Sequence, residues 1–456
     1  VVALFVVSPA EWAAHDFAPI RVDLMLRTLK ELSDSLGKLN IPLLIRTAKV
    51  AGDVPSVVLD VAKSNQCDHV FFNKEYEVNE SRRDAAVTKL LSHSGIKAAA
   101  CTDQVLFEPG SVRTGEGRFY TVFTPFKKTY IRTIGEAGGI RLNPAPVAMP
   151  EMVAKPSPIP KTIEGVACDA GISAQWAGGE SEAKKRLSKF ARSHIGAYRA
   201  ERDFPSLAGT STLSPYLAIG AISPRRCFEA AIEANRNAQK PRELASPLDS
   251  GSEGITTWIS ELIWREFYIH VMTGFPRVCM HRAFQPATES IRWNVNDKHF
   301  DAWCRGETGV PIVDAGMRQL RATGWMHNRV RMIVAMYLSK NLFLDWRLGE
   351  KFFMQHLVDG FLASNNGGWQ WSASTGTDAA PYFRIFNPVS QSERFDPEGK
   401  FIRMYIPELR SVGHESIHDP SAMPPLAKAR LSYPEPLVNL STTREAAIAA
   451  FKGIKG

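Results

Sequence analysis

The chain lacks several features that would have decided its class at once. Six cysteines are spread over 456 residues with no CxxC pair, which excludes a thiol–disulfide motif and a paired-cysteine zinc site. Their scatter reads as reduced thiols inside a cell rather than a disulfide framework. No run of 18 apolar residues exists, so no segment reads as a membrane-spanning helix. Neither GxGxxG nor GxxxxGK[ST] occurs, which leaves a dinucleotide first turn and a P-loop unsupported, and no fixed-period repeat is visible. Acidic residues (47) fall short of Lys plus Arg (55), giving a net charge of +8, a mild bias towards a polyanionic partner. At 44% hydrophobic and 22% charged residues the chain is too apolar to be disordered and long enough for two or three cored domains.

What is present is unevenly placed. Ten tryptophans occur, and all but Trp12 and Trp176 fall between Trp258 and Trp371. A large helical core would account for them as readily as a function. The opening VVALFVV reads as a buried strand with no charged segment before it, so the chain is expected to be cut from a longer one.

Up to about residue 125 short apolar runs (VVALFVV, IPLLIRT, DHVFFNKEY, IKAAACTDQVLF) alternate with amphipathic stretches, the pattern of βαβ units and a parallel sheet. Residues 141–180 are rich in Pro and poor in periodicity and read as a linker. Beyond 182 apolar residues recur at three- and four-residue spacing over 182–200, 224–237, 256–273, 311–323, 325–340 and 349–358, which predicts an all-α region. The expected organisation is an α/β domain over 1–130, a linker over 131–181 and a helical domain over 182–456.

Four segments carry candidate chemistry. HESIH, His414 to His418, matches the HExxH of zinc peptidases, but Gly413 before it and Asp419-Pro420 after it allow about one helical turn, so no metal site is expected. In 209–225, Ser214-Pro215 and Ser223-Pro224 each read as a helix cap followed by Pro, and the hydroxyls of Thr210, Ser211, Thr212 and Ser214 suit a pyrophosphate, although ordinary capping explains them too. ELIWREFYIH places Glu261, Trp264, Arg265 and Tyr268 on one helical face, where a carboxylate, an indole and a guanidinium suit a base and a phosphate. GWMHNRVRM sets Asn328 and Met332 one turn apart. In 358–388, Asn365-Asn366-Gly367-Gly368 is expected to break a helix, and the stretch from Trp369 to Pro388 to form an ordered polar loop lining a site. Asp359 is the acid expected to pair with Arg331.

SELIWREFY, TGWMHNR and NNGGWQW followed by STGTDAAPYFRIFNP together resemble the photolyase/cryptochrome family, most like its class I cyclobutane pyrimidine dimer photolyases. The resemblance runs from residue 1 to about 435. It implies an α/β antenna domain, a Rossmann-like parallel sheet with its first strand missing, and an all-α FAD-binding domain. It further implies light-driven repair of pyrimidine dimers in DNA by an electron from excited reduced FAD. FAD would be held by Tyr198, Thr210, Ser211, Thr212, Leu213, Ser214, Trp258, Arg331, Asp359, Gly360, Phe361 and Asn365. The catalytic set would be Glu261, Asn328 and Asn365. The lesion would be bound by Glu261, Trp264, Asn328, Met332 and Trp371, and its flanking phosphates by Arg202, Arg265, Arg329 and Arg384. Trp369, Trp346 and Trp293 match an electron-transfer chain, with Trp303 and Trp325 left as core. His15, Asn79, Glu80 and Cys279 match a methenyltetrahydrofolate antenna site. Thr212 stands where the family commonly has Arg or Lys near the phosphates and Phe361 where it has Asp beside the flavin, so FAD is expected to bind more weakly than in relatives; Met280 replaces a Lys of the folate site. A monomer working inside the cell on DNA is expected. A flavin photoreceptor without repair activity is the alternative.

Overall fold

The computed structural model describes residues 1–238, 248 and 250–454. In chain order its elements are β1 (Ala3–Val7), α1 (Pro9–Ala14), α2 (Pro19–Gly37), β2 (Leu43–Thr47), α3 (Val54–Ser64), β3 (His69–Asn73), α4 (Val78–His93), β4 (Lys97–Cys101), α5 (Phe123–Glu136), α6 (Ala170–Ser173) and α7 (Glu180–Ser193). They continue with α8 (Tyr198–Glu201), α9 (Ser214–Ala218), α10 (Pro224–Ala238), α11 (Glu253–Gly274), α12 (Asp297–Arg305), α13 (Pro311–Thr323), α14 (Asn328–Met336), α15 (Trp346–His356) and α16 (Leu362–Ala373). The last are α17 (Pro388–Phe395), α18 (Lys400–Tyr405), α19 (Pro425–Lys428) and α20 (Leu440–Lys452).

Two units follow from the packing. One comprises Val1–Gly196, Ser211–Cys279 and Val358–Gly360; the other comprises Ala197–Thr210, Met280–Leu357 and the chain from Phe361 on. In the first unit the α/β pattern is present, and among the described residues its parallel sheet comes as two ribbons of two strands. β1 pairs with β2 from Ala3↔Leu43 to Val7↔Thr47, and β3 with β4 from His69↔Lys97 to Asn73↔Cys101. Each ribbon buries apolar residues against helices: Val7 and Leu43 with Val22, Leu26 and Leu29 of α2, and Val70 and Phe72 with Ala62, Val87 and Leu91 of α3 and α4. The return through a helix is what a parallel pair requires. This unit also holds α7, α10 and α11. At the start of α11, a Cβ on Gly254 would come 2.1 Å from the Gly196 carbonyl oxygen, so only glycine lets that helix meet the backbone there.

The second unit is all helical among its described residues. Its core joins Val313 and Met317 of α13, Val330 and Val334 of α14, Trp346 and Phe353 of α15, Trp369 of α16 and Phe401 and Ile402 of α18. α14 runs on into a π-helical turn, Tyr337–Asn341, in which Lys340 is buried; it donates to Ser374 Oγ at 2.9 Å, and burial lowers its pKa to about 7.

Four local expectations need correction. Asn365-Asn366-Gly367-Gly368 lies inside α16 rather than breaking it. Asn365 Nδ2 donates to the Glu350 carbonyl at 2.9 Å and Gln370 Nε2 to Asn366 Oδ1 at 2.8 Å, so tertiary and i,i+4 bonds outweigh poor helix propensity. Only the stretch after Ser374 forms the expected loop, up to Asn387. The 325–340 helix begins at Asn328, because His327 caps it by accepting from the Arg329 N–H at 3.2 Å. Ser214 is the first residue of the five-residue α9 and Leu213 occupies the cap position without a side-chain bond, whereas Ser223 does accept, at 3.4 Å, from the Arg226 N–H. Residues 414–418 form a turn and no helix.

Candidate functional site

In the first unit, α11 carries the Glu261, Trp264, Arg265, Tyr268 stripe. Trp264 stacks on Phe123 of α5 at 3.7 Å between ring centroids and 8° between planes, and leans on Tyr268 at 5.5 Å. One face of the indole is thereby fixed by another ring. Trp258, three residues before Glu261, is buried against Phe190 of α7 at 5.1 Å. Arg265 Nη1 donates to the Gln104 carbonyl and burial pulls its pKa down. That bond ties the half-buried guanidinium to the backbone, an orientation that competes with a phosphate contact. Next to it Glu266 is fully buried, accepts the Leu106 N–H through both oxygens at 3.1 Å, and has its pKa raised by burial to about 7.

Ser211 to Ser214 also belong to this unit, with Leu213 buried beneath them. Thr212 Oγ1 accepts from Arg186 Nη1 of α7 at 2.9 Å, and Arg186 Nε is held by Glu182 at 2.9 Å. Asp359 and Gly360 are buried and belong to this unit. Of the antenna candidates, three meet: His15 Nδ1 lies 3.0 Å from Glu80 Oε1, and His15 Nε2 lies 3.1 Å from Asn79 Nδ2. The hydrogen bond to Glu80 raises the His15 pKa, against the effect of burial. Cys279 is half-buried in the turn Pro276–Met280.

In the second unit, Asn328 opens α14 and is exposed, with Met332 half-buried one turn on. Arg329 Nη2 donates to Asp203 Oδ1 at 2.9 Å, and Arg202 Nε stands 3.8 Å from the same oxygen, so one carboxylate gathers two of the four candidate cations. Arg202 also lies 5.8 Å from the ring of Tyr198, which is buried. Arg384 is exposed, and its N–H bonds the Pro381 carbonyl at 2.8 Å. Arg331 Nε donates to the Met326 carbonyl at 2.8 Å, which fixes its stem along α14. Thr210 is half-buried.

α16 supplies Asn365, Trp369 and Trp371 after the buried Phe361. Trp369 meets Phe353 edge-on at 5.0 Å and Trp303 at 6.0 Å, and α15 approaches it so closely that a Cβ on Gly349 would fall 2.1 Å from its Cη2. Trp303, read as plain core, is thus the indole in ring contact with Trp369. No ring contact among the described residues pairs two of Trp369, Trp346 and Trp293; Trp346 is buried under the Arg347 guanidinium at 4.8 Å, and Trp293 packs on Phe343 at 5.0 Å.

The residues fit a flavin dinucleotide. Asn366 Nδ2 and Trp369 Nε1 on α16 are buried donors without a hydrogen-bond partner among the described residues, a standing cost that an acceptor-rich ring would relieve. Ser211 to Ser214, with Arg186 beside them, bring hydroxyls and a cation suited to a pyrophosphate. HESIH is different in kind: His418 Nδ1 lies 2.7 Å from Ser392 Oγ and Nε2 3.2 Å from the Pro397 carbonyl, a buried structural tie.

Residues 1–147 match the family model of DNA photolyase and residues 258–453 that of the FAD binding domain of DNA photolyase. The deoxyribodipyrimidine photo-lyase of Escherichia coli is 41% identical over 100% of this chain and 93% of its own length. The chain belongs to the DNA photolyase family. The Neurospora crassa deoxyribodipyrimidine photo-lyase is 42% identical over 99% of this chain and 76% of its own length. Among solved structures, a class III photolyase from Agrobacterium tumefaciens superposes with a TM-score of 0.84 at 34% identity, covering 100% of this chain and 92% of that one. A cryptochrome from Synechocystis sp. PCC6803 gives 0.84 at 25%, covering 98% and 93%. The photolyase fold, an α/β domain with short parallel sheets and the helical FAD-binding domain, is therefore that of this chain.

Sequence reasoning missed Phe123, Arg186, Asp203 and Glu266. Phe123 left no trace, because its partner Trp264 lies 141 positions away. For Arg186 a signal existed: the segment GTSTLS, 209–214, holds five polar or small residues beside Leu213 and no cation of its own.

Proposed function

We propose that this chain is a deoxyribodipyrimidine photo-lyase that uses light to reverse cyclobutane pyrimidine dimers in DNA. The full-length similarity, at about 41% identity, to proteins of that name carries the reading. FAD, bound and reduced, would when excited by light lend the dimer one electron and take it back once the two cyclobutane bonds have broken, with no net redox change. The chain's own groups do the rest. Trp264, backed by Phe123, offers a ring on which a dimer turned out of the duplex stacks, and Trp371 is a second stacking residue; extrusion is cheapest for a base pair already damaged. Glu261 and Asn328 hydrogen-bond the pyrimidine edges and favour the charge that develops there, with Met332 in apolar contact. Arg202, Arg329 and Arg384 hold the flanking phosphates.

Tyr198, Thr210 to Ser214, Trp258, Arg331, Asp359, Gly360, Phe361 and Asn365 are the residues that would hold the flavin, with Asn365 a polar group for its ring and Arg331 and Asp359 a cation and an anion able to tune its charge. Trp369, Trp346 and Trp293 relay electrons inward from the surface. We place an antenna domain at 1–130, a linker at 131–181 and a helical domain at 182–456; matches over residues 1–147 and 258–453 support an antenna-type domain followed by a FAD-binding one. His15, Asn79, Glu80 and Cys279 are the place for a folate antenna. The protein acts as a monomer on DNA inside the cell.

Purified protein illuminated with an oligonucleotide containing one dimer tests the reading. Light-dependent loss of the dimer is expected, and its absence in flavin-loaded protein overturns it. The similarity to a cryptochrome favours a second reading, a photoreceptor that photoreduces its flavin and leaves the dimer intact.

A further inference from the structure

We infer that Arg186 supplies the positive charge of the FAD pyrophosphate subsite, a charge the segment Thr210 to Ser214 does not itself contain. The inference rests on the flavin reading above and adds a residue to it. A pyrophosphate carries two negative charges, and hydroxyls alone offer it neutral donors; a guanidinium offers charge-assisted bonds of roughly twice the strength. In the first unit the guanidinium of Arg186 is brought to that segment from α7. Nη1 donates to Thr212 Oγ1 at 2.9 Å, Nε is anchored by Glu182 Oε1 at 2.9 Å, and the carbon of the guanidinium lies 5.3 Å from the Trp176 ring centroid and 5.4 Å from that of Tyr216.

A carboxylate on one edge and two rings nearby hold the group in one place. The side chain keeps 24% of its exposure, so the cation is positioned without being sealed off. Thr212 gains from the contact. Its oxygen accepts from a cation, which leaves its own hydrogen to be given and makes that hydrogen a better donor. Glu182 opposes the effect by pairing with Arg186, and Lys185 Nζ, 3.8 Å from the other Glu182 oxygen, offsets part of that.

Flavin-stripped protein titrated with FAD and followed by flavin fluorescence tests the inference. Arg186→Gln should weaken binding by about tenfold, the scale of one lost charge-assisted contact, and lower its dependence on salt. Arg186→Gln combined with Thr212→Arg puts the cation back on the segment itself and should return affinity to within about threefold of the parent, a rescue that a merely structural role of Arg186 does not predict. Arg186→Gln binding as tightly as the parent overturns the inference. So does weakened binding that the double variant, folded by circular dichroism, fails to regain. Failure of the parent protein to take up FAD at all would instead overturn the flavin reading.

Discussion

Two of the helices that carry proposed chemistry, α11 and α16, are seated by opposite means. α11 is apolar and aromatic, with its apolar residues at helical spacing, and it meets the backbone of residues 195–196 through Gly254. α16 is written in Asn, Gly, Ser and Trp, holds no ionisable side chain, and is kept helical by what surrounds it: the Asn365 to Glu350 bond, the Gln370 to Asn366 bond, and Trp369 lodged over Gly349. The spacing of apolar residues specifies the first helix, and packing around polar and small residues specifies the second. Removing a contact should therefore cost α11 position and cost α16 its helical form.

The largest effects should come from the two glycines. Gly254→Ala drives a Cβ into a carbonyl that cannot give way, and we expect destabilisation of about 3 kcal/mol, read from the urea midpoint. Gly349→Ala meets the Trp369 ring and the Leu338 side chain, both able to shift, so about 1–2 kcal/mol is expected, with a change in tryptophan emission. Equal costs would remove the distinction between a backbone seat and a side-chain seat.

Next in size is Trp264→Ala, which removes the ring that Phe123 backs. Loss of about 1–3 kcal/mol in affinity for dimer-containing DNA is expected, measured by equilibrium binding in the dark. Phe123→Leu leaves the indole in place without its stacked partner and should cost less, about 1 kcal/mol. Unchanged affinity in Trp264→Ala would contradict the stacking role.

How much of this was legible in the residues follows the same division. The βαβ alternation and the helical spacing beyond 182 are local signals, and they gave the α/β and all-α regions and the extents of α11 and α13 closely. NNGG misled because helix propensity is a weak prior once a segment is enclosed. The Glu261, Trp264, Arg265, Tyr268 stripe was visible as a face, but not which members turn outward: Arg265 goes to the Gln104 carbonyl, a partner 161 positions away. For the same reason the sequence could pair neither Trp264 with Phe123 nor Thr212 with Arg186. The resemblance located the motifs, whereas long-range partners are supplied by the fold.

The helices should also differ in their response to pH. On α11 the pKa of Glu266 is raised by burial from 4.5 to about 7. The folded state then holds the proton more tightly than the unfolded chain, so this contribution is complete below about pH 4.5 and is lost as pH rises through about 7. His270, its pKa lowered by burial to about 4 from 6.5, contributes in the reverse sense: its share is present above about 6.5 and lost as pH falls through about 4. Glu266→Gln should remove the loss of stability between pH 4.5 and 7 and leave the gain due to His270, which urea titrations at a series of pH values would show. α16 has no group to titrate, so the cost of Asn365→Ser should not vary over that range. A pH-dependent cost there would break the contrast.

The smallest expected effect separates an inward arginine from an outward one. Arg384 is exposed, and a phosphate contact from it releases counterion; Arg384→Gln should lower the slope of log affinity for dimer-containing DNA against log salt by about 1 and weaken binding severalfold, whatever the flanking sequence. Arg265→Gln removes the same formal charge from α11 but gives up a bond to the Gln104 carbonyl instead of a phosphate. It should leave the salt slope unchanged and lower the urea midpoint. If the slope falls equally in both variants, the half-buried guanidinium of Arg265 reaches DNA after all, and the orientation assigned to it is wrong.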